Sequence, residues 1–234
     1  MKPLQPVIKW SGSKRTVASQ LGEFFLPANT YYEPFVGGGA MMPFAKSIRG
    51  KASDIIPELI NLWNEIKNNP ERVVEEYEVR WNRLQDEGYQ VFYEIRDRFN
   101  KTKSPFDFLF LTRTCLNGMI RYNRAGEFNN SLHLTRPGIA PQRLSAIIYQ
   151  WSTCLKKFNF FNVDYRECLE DVKKGDFVFL DPPYGGTKSR YTQTPFSLDE
   201  FYHVLDQLNR KEVNWMLTFD GTSGERNYTF APPE

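Results

Sequence analysis

The sequence predicts an α/β fold: a doubly wound, mostly parallel sheet of Rossmann-like type carrying an inserted, mainly helical segment. Two observations carry this. Short β-rich apolar runs recur at wide intervals with helical patterns between them, the rhythm of parallel βα units. That rhythm stops across residues 59–156, where charged helical stretches follow one another without a strand-like run. The expected division is therefore a sheet-bearing domain built from 1–58 and 157–234, with 59–156 as the insert.

In chain order, a helix at 16–25 leads into the first strand at 30–35, which ends in glycines and passes to a helix at 40–46. The second strand, 51–55, precedes a helix at 57–68. Within the insert, helical stretches at 70–85, 89–99 and 105–115 give way to a turn-rich passage. Strands resume at 158–163 and at 176–180, where the continuous run Phe177-Val178-Phe179-Leu180 marks a strand buried on both faces. A helix at 198–209 and a strand at 213–219 follow. With the strand order 3-2-1-4-5, the switch point falls between the first and fourth strands, where open α/β sheets bind ligands.

Composition bounds the class. The 234 residues, 41% of them apolar, suffice for one large domain or a domain with an insertion. Cys115, Cys154 and Cys168 are an odd set without C-x-x-C spacing, which argues against a disulfide framework or a zinc site and for a reducing compartment. The proline-rich start does not read as a signal peptide, and no window approaches the ~18 apolar residues of a membrane span, so a soluble, cytoplasmic protein is expected. Net charge is only +2, but Arg113, Arg121, Arg124, Arg136 and Arg143 face a single acid, Glu127, over one stretch. Arginine suits phosphate and guanine contacts. The histidines, His133 and His203, are far apart in sequence, and His203 reads as structural within an amphipathic helix.

Asp181-Pro182-Pro183-Tyr184 places a carboxylate at the exposed end of the buried fourth strand. The prolines fix φ and lack N–H donors, leaving carbonyls free to accept, and Tyr184 offers a ring for stacking. Such a turn holds a flat amine, and accepting the hydrogens of a nucleobase amino group on Asp181 and the Pro182 carbonyl would direct its lone pair at a donor carbon; a plain Pro-Pro turn is the alternative. Glu33-Pro34-Phe35-Val36-Gly37-Gly38-Gly39-Ala40 is a cofactor-loop candidate. It is neither the G-x-G-x-x-G fingerprint, since Met42 occupies the last position counted from Gly37, nor a P-loop. Asp54, ending the second strand, is placed to accept two ribose hydroxyls or to cap a helix. Asp164 offers the same choice, facing a cofactor base or capping. In Lys9-Trp10-Ser11-Gly12-Ser13-Lys14, Trp10 could shield a ligand and Lys14 pair with a carboxylate, against a core tryptophan and a surface lysine.

Taken with Thr112-Arg113-Thr114-Cys115-Leu116-Asn117-Gly118, Arg121-Tyr122-Asn123 and Gly126-Glu127-Phe128-Asn129, these motifs make the chain resemble the Dam-like DNA adenine-N6 methyltransferases over nearly its whole length. The resemblance implies S-adenosylmethionine as methyl donor, held by Trp10, Lys14, Glu33, Phe35, Gly37, Gly39, Asp54, Asp164 and Asp181, with no metal. It implies Asp181, Pro182, Pro183 and Tyr184 as the catalytic turn acting on a flipped adenine. It makes 59–156 the target-recognition domain, with Arg113, Asn117, Arg121, Tyr122, Asn123 and Arg124 on double-stranded DNA and 117–129 as the reading hairpin. A cognate restriction endonuclease is the partner such an enzyme takes in a restriction–modification pair. The chain departs from the family pattern at Ser13, at Ser53 and at Asn130-Ser131-Leu132-His133, so the recognised DNA sequence is not carried over. Family members continue well past the point matching Glu234, which implies that the last strands of the sheet lie outside these residues. Cytosine-N4 or another amine or amide as acceptor, and an inactive DNA-binding fragment, are the competing expectations. A nicotinamide oxidoreductase is disfavoured by the missing fingerprint.

Overall fold

The computed structural model describes residues 2–136, 138–183 and 196–218, and two short paired strands at Thr222–Ser223 and Arg226–Asn227. Five strands form one sheet: β1 (Ala28–Glu33), β2 (Ser47–Ser53), β3 (Phe158–Phe161), β4 (Phe177–Leu180) and β5 (Asn214–Leu217). Their order is β3-β2-β1-β4-β5 and every pairing is parallel, as the sequence predicts. All four residues of β4 are buried, which is why it reads as an unbroken apolar run. β2 begins four residues before its predicted start. Its first half is largely exposed, with its apolar residue Ile48 facing solvent, yet Ser47 and Arg49 pair with Ala28 and Thr30 through the backbone.

Both faces of the sheet are covered. On one, α8 (Leu198–Arg210) packs Phe201, Val204, Leu205 and Leu208 against Tyr32, Val178 and Leu180. Ser197 caps it, its Oγ accepting the Glu200 N–H at 3.3 Å. The other face meets α2 (Pro57–Asn68) and α6 (Pro141–Leu155), whose Trp63 and Trp151 rings lie 5.2 Å apart. α6 emerges from the passage predicted to be turns. Leu144, Ile148, Trp151 and Leu155 give it a buried stripe at helical spacing, and Pro141 starts it at a position where a missing N–H is harmless. The helix predicted at 40–46 is instead a single 3-10 turn, Met42–Phe44, because Ala45 is already extended as the chain enters β2. Likewise 16–25 resolves into a 3-10 turn, the short α1 (Ala18–Leu21) and a second 3-10 turn.

Between α2 and α6 lie α3 (Pro70–Glu87), α4 (Gln90–Thr102) and α5 (Pro105–Thr114), whose core is continuous with that beneath the sheet. Asp107, 0% exposed, staples all three helices. Its Oδ1 accepts from Arg80 Nε at 2.7 Å and Arg98 Nη2 at 2.6 Å, and its Oδ2 from Arg98 Nε at 2.8 Å. Beyond α5 the chain makes a hairpin, with antiparallel bridges at Cys115–Leu132 and Tyr122–Phe128. Asn123 closes its tip, its Oδ1 accepting the Ala125 and Glu127 N–H groups at 2.9 and 3.0 Å. Asn100 of α4 grips the base of this turn through both polar groups of the Phe128 backbone. No helix among the described residues is long and apolar enough to cross a membrane.

Candidate active site

The C-terminal ends of β1, β2 and β4 bring the sequence motifs together at the switch point. Asp181 follows β4 directly. Its Oδ1 pairs with Lys14 Nζ at 2.6 Å and accepts from Thr218 Oγ1 at 2.8 Å, while among the described residues Oδ2 takes no hydrogen bond. Burial pushes the Asp181 carboxyl up, and Lys14 with the Thr218 hydroxyl pulls it back toward the ionised form. One oxygen is thus held by the protein and the other is available, in an ion that only accepts hydrogen bonds. Pro182 is buried and Pro183 exposed; Tyr184 lies outside the described residues.

Glu33 ends β1 and is 3% exposed. Its Oε2 accepts the Tyr31 hydroxyl at 2.8 Å. Burial raises its carboxyl to about 8, with the Tyr31 hydrogen bond opposing and the charge of Asp181 adding to the shift. A cation arriving here would find an acid ready to ionise against it.

The glycine loop packs under Trp10. Gly37 holds φ at 43°, and a Cβ there would fall 2.5 Å from the Trp10 indole nitrogen. The loop is braced from below, the Trp63 indole N–H donating to the Gly37 carbonyl at 3.0 Å. Asp54 braces it from the side: Oδ2 accepts the Gly37 N–H at 3.1 Å and Oδ1 the Ile56 N–H at 3.2 Å. Burial lifts the Asp54 carboxyl to about 6 even though these backbone donors lower it. Phe35 stacks on Tyr165 at 5.1 Å, on the far side of the loop. Asp164 takes the helix-cap alternative for α7 (Tyr165–Cys168), accepting the Arg166 N–H at 3.0 Å.

The hairpin residues divide. Asn117, at φ 56°, and Arg121, Asn123 and Arg124 are exposed. Arg113 does not join them: it lies in the last turn of buried α5 at 7% exposure. Tyr122 is half-buried, its ring edge-on to Phe128 and its hydroxyl donating to Glu58 Oε1 at 2.6 Å. The sequence motifs include neither Thr218 nor Glu58. Thr218 follows an ordinary strand and carries no motif. Glu58 had a readable signal, an acid in the first turn of a helix with an apolar stripe, where burial demands a partner.

A family model described as D12 class N6 adenine-specific DNA methyltransferase matches residues 10–219. The chain is 31% identical to the type II methyltransferase M.MjaIII of Methanocaldococcus jannaschii, over 89% of this chain and 82% of that protein. It is 29% identical to the retron Ec67 DNA adenine methylase of Escherichia coli, over 88% and 72% respectively. With a DNA adenine methylase of Haemophilus influenzae the identity is 28%, over 84% and 70%.

Proposed function

The chain belongs to the D12 class N6 adenine-specific DNA methyltransferases, and from that premise we propose that it takes its methyl from S-adenosylmethionine and delivers it across the crevice between the ends of β1 and β4. DNA is its substrate class, and the adenine N6 amine its acceptor. The site's chemistry suits the donor. A nucleoside bearing a ribose diol, an ammonium and a sulfonium would meet Asp54, Glu33 and Asp181 at three adjacent strand ends, beside a glycine loop packed so closely under Trp10 that a Cβ at Gly37 would collide with the indole. When bound, that donor supplies a methyl on a positively charged sulfur.

The rest falls to this chain's own residues. Asp54 accepts the ribose hydroxyls with lone pairs left over from the Gly37 and Ile56 amides. Glu33 faces positive charge, and Trp10 covers the loop. The target adenine leaves the duplex, at about a few kcal/mol for unstacking, and its N6 hydrogens meet Asp181 Oδ2 and the Pro182 carbonyl. Tyr184 stacks on the base. With the donor bound, Asp181 would accept, along its hydrogen bond to N6, the proton that the amine sheds on methylation. Positioning and preorganised charge supply the rate enhancement, Lys14 and Thr218 holding the carboxylate in place before substrate arrives. Within residues 59–156, α3, α4, α5 and the hairpin serve as the target-recognition part while α2 and α6 back the sheet, with Asn117, Arg121, Asn123 and Arg124 on the exposed side of the hairpin toward a groove.

The observation that carries this is the meeting of three carboxylates and the glycine loop at one switch point. Asp54→Ala tests the donor half. It is expected to weaken S-adenosylmethionine binding in calorimetry by about 1.5–3 kcal/mol, the range for hydrogen bonds to a charged group. A donor analogue lacking one ribose hydroxyl should bind the wild type less tightly but lose nothing more in the variant. Equal losses from the analogue in both proteins would reduce Asp54 to a brace for the loop.

A further inference from the structure

Tyr122 and Glu58 belong to different parts of the molecule. Tyr122 sits on an arm of the hairpin, opposite Phe128, whose ring also packs edge-on against Phe99 of α4. Glu58 sits in the first turn of α2, four residues after Asp54. Glu58 is 5% exposed, and a carboxylate so buried requires a donor. Tyr122 supplies one, at 2.6 Å. From Glu58 the connection passes through two residues of backbone to Ile56. The Ile56 N–H, immediately before α2, is held by Asp54 Oδ1, and the other oxygen of Asp54 holds the Gly37 N–H of the glycine loop. The charge of Glu58 also acts on Asp54 directly, raising its proton affinity. Hydrogen bonds at either end, joined by the short backbone segment Ile56-Pro57-Glu58, thus link the hairpin to the loop.

We propose that the Tyr122–Glu58 hydrogen bond couples the two substrates, so that DNA engaging the hairpin sets the position of α2's first turn and of Asp54 and thereby tightens the methyl-donor site. This rests on the assignment of the hairpin to DNA and of Asp54 to the donor. Tyr122 is then a positioning residue, its hydroxyl committed inward while Arg121, Asn123 and Arg124 on either side face outward. A hairpin shifted by DNA either keeps the Glu58 hydrogen bond and carries the first turn of α2 with it, or leaves a buried acid without its donor. Either change is felt at Asp54. Coupling of this kind is reciprocal, so the donor must tighten DNA binding by the same factor that DNA tightens donor binding.

The test measures the affinity of the unreactive donor analogue sinefungin for the full chain, alone and with saturating duplex. The duplex carries the sequence the enzyme modifies, found by mapping methylated adenines in plasmid DNA exposed to it. The wild type is expected to gain at least about fivefold in affinity on adding duplex, the lower end of usual coupling factors. In Tyr122→Phe that gain, taken relative to the variant's own sinefungin affinity in the absence of DNA, should fall toward one. Glu58→Gln, which still accepts the tyrosine hydroxyl, should retain most of the gain. A bond that merely staples the hairpin would lower thermal stability in Tyr122→Phe and leave the gain untouched, and that result overturns the proposal, as does a wild-type gain of one. Absence of any methylated adenine would instead strike the functional assignment on which the proposal rests.

Discussion

Asp181→Ala is expected to lower the rate of methyl transfer by at least about 10²-fold, the effect of removing one preorganised polar group from the reacting atoms. Alanine cannot accept an N6 hydrogen, and the 2.6 Å ion pair with Lys14 and the Thr218 hydrogen bond disappear with the carboxylate. The fold should survive. Asp181 lies after β4 rather than within it, and Lys14 keeps its hydrogen bond to the Gly12 carbonyl at 3.0 Å. Single-turnover methylation, with circular dichroism on the same preparation, separates chemistry from folding. A folded variant within tenfold of wild type would remove Asp181 from the reaction.

The largest expected effect on stability lies far from the chemistry. Asp107→Ala removes the fully buried acid on which Arg80 and Arg98 converge, leaving Arg80 buried without that counter-charge. Breaking a buried ion pair from one side costs about 3–5 kcal/mol. Set against the ~5–15 kcal/mol that holds a typical domain together, the loss should bring the chain close to unfolding at ordinary temperature. The exposed cluster of Arg83 with Glu87 and Glu94 looks similar on paper, but an exposed pair contributes only about 0–1 kcal/mol, so Arg83→Ala should be nearly silent. Urea denaturation of both variants decides the matter; equal, small losses would show that Asp107 is not the staple of α3, α4 and α5.

The sheet was legible because its signal is local. Phe177 to Leu180 is apolar throughout since both faces of β4 are covered, and Asp181 and Asp54 stand where strands end. α6 was hidden because its stripe of Leu144, Ile148, Trp151 and Leu155 is diluted by polar residues and preceded by a run of turns, and its partner Trp63 lies far away in sequence. The first half of β2 was hidden for the opposite reason: its pairing is made by backbone alone. At the site, motif residues were readable and the residues that hold them were not. Thr218 reaches Asp181 from just beyond the end of β5, and Glu58 reaches Tyr122 across the fold. Neither contact is encoded in spacing. Arg113 shows the converse, a residue grouped with DNA-facing arginines by composition and then buried by the helix that carries it.

The most direct measurement is of the product. Duplex DNA incubated with the purified chain and S-adenosylmethionine carrying an isotopically labelled methyl should, after digestion to nucleosides and mass spectrometry, show the label on N6-methyldeoxyadenosine and on no other nucleoside. Label on N4-methyldeoxycytidine, or DNA left unlabelled by a folded protein that binds the donor, would contradict the account.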